Sequence, residues 1–133
     1  MTYRMRRWAV TALAAASVAA AGLIGTGSAA AAPSGQVDAG VPFSSAVYGT
    51  GCTYQLVVPV NASGMVYFWE QGQGQKPLFI GKAQAYQLVA TVDWIPRHQG
   101  KRTLYAVQNG VKGPVVSAPV RQGYGSGWAC FAL

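Results

Sequence analysis

From Val41 onward, apolar and polar positions alternate with a period of two, in short runs broken by Gly, Pro, Asn and Gln. Side chains on a strand switch faces at every residue, so this period predicts strands. The runs are Val41–Tyr48, Cys52–Val60, Met65–Glu70, Pro77–Lys82, Tyr86–Trp94, Thr103–Gln108 and Val115–Arg121. No window of about a dozen residues keeps a helical period. Val, Tyr, Phe, Thr and Trp recur, and these residues suit a pleated, half-buried surface. Alternation also assigns faces. Tyr54, Leu56, Val58 and Val60 are expected to point inward, as are Val66 and Phe68, then Leu88, Ala90, Val92 and Trp94. Leu104 with Ala106, and Val116 with Ala118 and Val120, complete the inward set. Phe68, Trp94 and Leu104 are the expected core anchors, because large inward side chains supply much of a small domain's burial.

Turn signals separate the runs. Asn61-Ala62-Ser63-Gly64, Gln71-Gly72-Gln73-Gly74-Gln75, the stretch from Pro96 to Gly100, and Asn109-Gly110 are the breaks. Asn-Gly is a strong hairpin signal, so the last two runs are expected to pair. Pro59 and Pro119 cannot donate a ladder hydrogen bond and mark edges or bulges. Asn61-Ala62-Ser63 also fits a glycosylation acceptor, but a bacterial-looking leader makes it a turn. Seven short strands at this spacing predict an all-β antiparallel sandwich in one domain.

The first 31 residues are a separate matter. Arg4, Arg6 and Arg7 precede an uncharged, Ala-rich stretch from Trp8 to Gly25, and small residues follow at 28–32. This is the layout of a secretory signal peptide, with cleavage placed after Ala31. The Arg6-Arg7 pair fits a twin-arginine signal poorly, so general secretion is expected. Residues 32–40 read as a flexible lead-in, and 41–133 as the domain with a C-terminal tail at 122–133. Three of the ten basic residues leave with the leader and all three acids stay, so the charge falls from +7 to +4. A cation excess of this size favours anionic surfaces. It falls short of the dense Lys/Arg footprint of a nucleic-acid binder, and no nucleic-acid partner is expected.

Cys52 and Cys130 both survive cleavage. An even count in an exported chain predicts one disulfide, which would tie the tail to an early strand. The pair lacks the spacing of a redox-active motif.

A family resemblance then emerges. It rests on Tyr67-Phe68-Trp69-Glu70, Phe79-Ile80-Gly81, Ala90-Thr91-Val92-Asp93-Trp94-Ile95-Pro96, Gly100 and Thr103-Leu104-Tyr105-Ala106-Val107-Gln108. From about Cys52 to Arg121 the chain resembles bacterial Ig-like domains of the group 3 type. With its Gly-rich, Cys-containing tail it is similar to single-copy secreted actinobacterial proteins. The chain departs from the pattern at Gln71-Gly72-Gln73-Gly74, where the family has Asn-Gly or Asp-Gly, and at Lys101-Arg102. The resemblance implies an Ig-like β-sandwich acting as a spacer, adhesion or binding module, without catalysis.

The chemistry-bearing residues are few. His98 is the single histidine, in a loop without a nucleophile motif, and is expected to be solvated. Asp38, Glu70 and Asp93 are the acids. Glu70 and Asp93 fall on different strands with nothing expected to bring them together, so paired-carboxylate catalysis and a calcium site are not expected. No catalytic residue, metal or cofactor is assigned. Arg97, Lys101 and Arg102 form an expected basic cluster at one end of the sandwich. It reads either as a solvated turn or as a site for anionic glycans, teichoic-type polymers or phospholipid headgroups.

The sharpest expectation is a binding face of Tyr67, Trp69, Tyr105 and Val107 on the outer side of one sheet, open to a protein or a cell-wall glycan. The apolar tail either covers that face or leaves it open. A secreted inhibitor or toxin-like effector is a further alternative, though the loop at 71–75 is a poor reactive loop for an inhibitor. The expected product is an exported, non-enzymatic monomer that is not an integral membrane protein after cleavage.

Overall fold

A computed structural model describes residues 30–40 and 47–133. The leader, the cleavage site up to Ala29 and most of the first predicted run lie outside those residues. The described chain is all strand: β1 (Tyr48–Gly49), β2 (Tyr54–Pro59), β3 (Met65–Gly72), β4 (Leu78–Gln84), β5 (Val89–Trp94), β6 (Gly100–Gln108), β7 (Val111–Lys112), β8 (Val116–Arg121), β9 (Gly123–Ser126) and β10 (Ala129–Ala132).

Two sheets face each other. One runs β1-β8-β6-β3-β4, with β7 also paired to β6. The other is β2-β5. All pairings are antiparallel except β1 with β8, which is parallel. With β3, β6 and β8 in one sheet and β2 and β5 in the other, the layout is an immunoglobulin-like sandwich. The expected inward residues meet between the sheets: Leu56, Val58, Val60, Ala90 and Trp94 from one, Val66, Phe68, Leu104, Ala106, Ala118 and Val120 from the other. The anchors Phe68, Trp94 and Leu104 are all buried.

The Asn109-Gly110 hairpin forms as expected, both residues taking positive φ, 51° and 74°. Its return strand breaks at Gly113–Val115, so that β7 pairs the end of β6 and β8 pairs its beginning.

Two local expectations change. Leu88, expected inward, is 52% exposed. It occupies a two-residue turn with Gln87, both at positive φ, closed by paired backbone bonds between Tyr86 and Val89. No Gly or Asn flags that turn, so the alternation at 86–88 mimics strand. Residues 32–40, read as a flexible lead-in, run antiparallel along β2 through bridges Pro33–Val60 and Asp38–Val57. Val37 and Ala39 are buried in the core. Asn61 fixes this segment, accepting from the Ala32 backbone N–H at 2.8 Å and donating to the Ala30 carbonyl at 3.1 Å.

The tail forms the hairpin β9–β10 and packs against β1, the edge strand farthest from β4. The Cys52–Cys130 disulfide, with a sequence separation of 78, holds it there. Such a bond belongs to an oxidising environment. Among the described residues no helix is long and apolar enough to cross a membrane. By chain entropy the cross-link contributes about 4 kcal/mol. Reduction is therefore expected to cost up to about that amount. In amide hydrogen exchange, residues 123–132 should lose protection before β3 and β6 do.

Candidate functional site

The outer face of the large sheet is built by register. Tyr67 pairs with Val107 and with Lys82, and Trp69 pairs with Tyr105 and with Phe79. Paired residues share a face, so these side chains stand together on the side away from the core. The C-terminal hairpin lies at the opposite edge of the sheet and does not cover them.

The four residues expected to form this face are not equally available. Tyr67 is 39% exposed. Trp69 and Val107 are half-buried. Tyr105 is buried at 7% exposure, with the Lys112 ammonium 4.1 Å from its ring centroid. It is a support for the face rather than a contact. Phe79, not singled out from sequence, is 53% exposed and stands at the centre. Its ring lies 5.3 Å from that of Trp69 and 6.3 Å from that of Tyr67, tilted by 62° and 45°. A bulge opposite Phe68 and Trp69 turns Phe79 outward, and no sequence signal marked it. Met65 extends the patch.

The expected basic cluster does not form. Arg97 and Lys101 are exposed, but Arg102 is 2% exposed. Its parity on β6 is that of Leu104 and Ala106, so it points between the sheets. There its Nη2 lies 3.6 Å from Glu70 Oε1. Its Nη1 donates to Gln75 Oε1 at 2.8 Å. Trp94 Nε1 donates to Glu70 Oε2 at 3.2 Å. Arg102 Nε makes no hydrogen bond. Gly72 is needed beside this group, because a Cβ there would collide with the guanidinium.

Glu70 and Asp93, expected to stay apart, line one cleft of about 450 Å³ between β4 and the end of β5. His98 and Arg97 lie at its rim, and His98 is exposed as expected. The cleft brings these polar groups together. Both Glu70 oxygens face partners inside the protein, and among the described residues no cluster of three His, Cys, Asp or Glu could hold a metal.

A ring cluster at the same end of the core shows one shifted titration. Tyr48, Tyr54 and Trp94 lie within 4.9 to 5.8 Å of one another, centroid to centroid. Burial, then the Asp38 charge and Tyr54, raise the Tyr48 hydroxyl above its ordinary value of 10.0.

No protein-family model matches the chain, and no curated protein matches it either.

Two outcomes follow from this geometry. Glu70→Ala leaves Arg102 buried without its counter-charge and should cost about 3–5 kcal/mol in denaturant unfolding. Adding Arg102→Met should recover part of that loss, because the orphaned charge is then gone. The raised Tyr48 pKa means the folded state holds its proton longer than the unfolded chain does. Stability from this group is therefore present below pH 10 and lost as pH rises through the folded value. Tyr48→Phe should flatten that alkaline loss in a pH series of thermal melts.

Proposed function

We propose that the protein is an exported, non-enzymatic Ig-like module of the cell envelope or its surroundings, and that it binds a protein partner through the outer face of β4, β3 and β6. The observation that carries this reading is the contiguous patch of Met65, Tyr67 and Phe79, exposed on a sheet face that the tail leaves open. Aromatic and Met side chains are enriched in protein–protein interfaces. Lys82 and Lys112 flank the patch and would form a polar rim.

The ring geometry favours a protein over a sugar. Stacking on a pyranose needs a flat platform, whereas Phe79 stands tilted against Trp69 and Tyr67. Export is supported by the disulfide and by the leader-like first 31 residues. The resemblance to group 3 bacterial Ig-like domains supports the module reading. The absence of catalysis is supported by the commitment of Glu70 to Trp94 and Arg102.

Phe79→Ser and Tyr67→Ser should each leave the fold within about 0.5 kcal/mol of the parent, being surface changes. Each should reduce capture of a partner from an envelope fraction by at least about tenfold, the effect of losing a contact of roughly 1.4 kcal/mol. Purified cell-wall polysaccharide should deplete neither parent nor variant. Depletion of the parent by polysaccharide, relieved in the variants, would instead assign the face to a glycan.

A further inference from the structure

The C-terminal hairpin has two unlike faces. Antiparallel pairing puts Gly123, Gly125, Cys130 and Ala132 on one side and Tyr124, Ser126, Ala129 and Phe131 on the other. The small-residue side is held against the body. Cys130 is bonded to Cys52, and Ala132 is buried. The Thr53 N–H donates to the Gly127 carbonyl at 2.8 Å. The other side is apolar and faces out. Tyr124 and Phe131 stack at 5.6 Å, Trp128 in the two-residue turn is 67% exposed, and Leu133 follows beyond β10. A segment fixed in this way is not waiting to fold onto its own domain.

The stretch of chain leading into it is basic. From Trp94 to Leu133 the chain has no acidic residue, but it carries Arg97, Lys101, Arg102, Lys112 and Arg121. Arg102 is spent on Glu70, and Lys112 lies over Tyr105. Of the exposed remainder, Lys101 lies on the strand beside β8 and Arg121 stands at the base of the hairpin. Arg121 directly precedes it and donates to the Leu133 carbonyl at 3.4 Å. The loop bearing Arg97 is tied to that base by Gln99 Nε2 donating to Gln122 Oε1 and by the Gly51 N–H donating to the Pro96 carbonyl. Lys101 pairs with Pro119 on the neighbouring strand. Asp38, beside Trp128 in a shared groove, opposes these charges, and Arg97 turns to the cleft that holds Asp93.

We infer that this hairpin is a membrane-docking element. It places Trp128, Phe131, Tyr124 and Leu133 in the headgroup layer of a bilayer containing anionic lipid, with Arg121 and Lys101 against the phosphates. Trp and Tyr favour this layer because one part of the ring system is apolar and the other is wet. The hairpin backbone pairs with itself, so no unpaired strand edge needs to enter hydrocarbon. Basic residues beside an apolar anchor add attraction to anionic headgroups. A second copy of the chain fits less well, since two such ends would meet cation to cation.

The test uses the exported protein, recovered from the medium of a secreting host with its disulfide intact. It is sedimented with phosphatidylglycerol vesicles and, separately, with pure phosphatidylcholine vesicles. The parent should partition onto the anionic vesicles, and high salt should release it. Trp128→Ser should lower partitioning about tenfold, and Arg121→Gln about fivefold. Trp128→Tyr should retain most of it, and Tyr67→Ser, on the distant sheet face, should bind as the parent does. Exchange protection of β3 and β6 confirms that each variant is folded. Failure of the parent to bind anionic vesicles overturns the inference, as does equal binding by Trp128→Ser. A dimer in light scattering that Trp128→Ser dissolves also overturns it, assigning the face to self-association.

Discussion

Glu70 sits inside a small sandwich, and the rest of the structure arranges itself around that carboxylate. A buried charge is tolerated only when it is paired and hydrogen-bonded. The group that holds it is drawn from three places. Trp94 reaches it from the facing sheet, Arg102 from the neighbouring strand, and Gln75 holds the guanidinium from the loop after β3. The group therefore ties the two sheets to each other at one end of the core. It also dictates the loop, where Gln75 N–H donates to the Gly72 carbonyl and Gln71 Nε2 donates to the Gln75 carbonyl. Hydrophobic contact alone sets how tightly sheets pack. A directional bond from the indole of Trp94 also sets where they stop sliding.

Most of the fold was legible because one face of each strand is buried. A one-residue slip would have turned every inward side chain out, so the alternation of Leu56, Val58 and Val60, or of Leu104 and Ala106, left little freedom. Legibility failed where the same alternation crossed something else. At Gln87 and Leu88 it ran through a tight turn whose residues give no turn signal. At Glu70 and Arg102 it points charged side chains inward, against the ordinary preference of charge for solvent. Read by parity, both residues fall on the buried side of adjacent strands, Glu70 two positions after Phe68 and Arg102 two before Leu104. The loop at 71–75 and the pair Lys101-Arg102 meet through the bond from Arg102 to Gln75, so they form a single feature.

The aromatic face was half legible. Strand parity placed Tyr67, Trp69, Tyr105 and Val107 on one side, and they are there. Parity cannot say which of several neighbours stands proudest. That depended on the bulge that turns Phe79 outward and on Lys112 folding over Tyr105. The position of the tail was open from sequence because its composition, rich in Gly and aromatics, carries no strand alternation of its own kind. Its disulfide and its small-residue side decide the matter by docking it on β1. The outer sheet face and the hairpin thus present two apolar surfaces at opposite edges of one sheet.

The two sulfurs of the disulfide stand in unequal surroundings. Cys52 is 1% exposed, whereas Cys130 is only partly buried. Thiol–disulfide exchange requires an incoming thiolate to reach one sulfur while the other departs. Only the hairpin sulfur admits that approach, which gives the exchange a direction. A thiolate that attacks there would form its mixed disulfide at Cys130, and Cys52 would leave as a thiolate, to be protonated within the shelter of the domain. Assembly run in reverse follows the same order. The oxidant is carried on the last residues of the chain, and the bond closes when the hairpin brings it to a sulfur that waits inside.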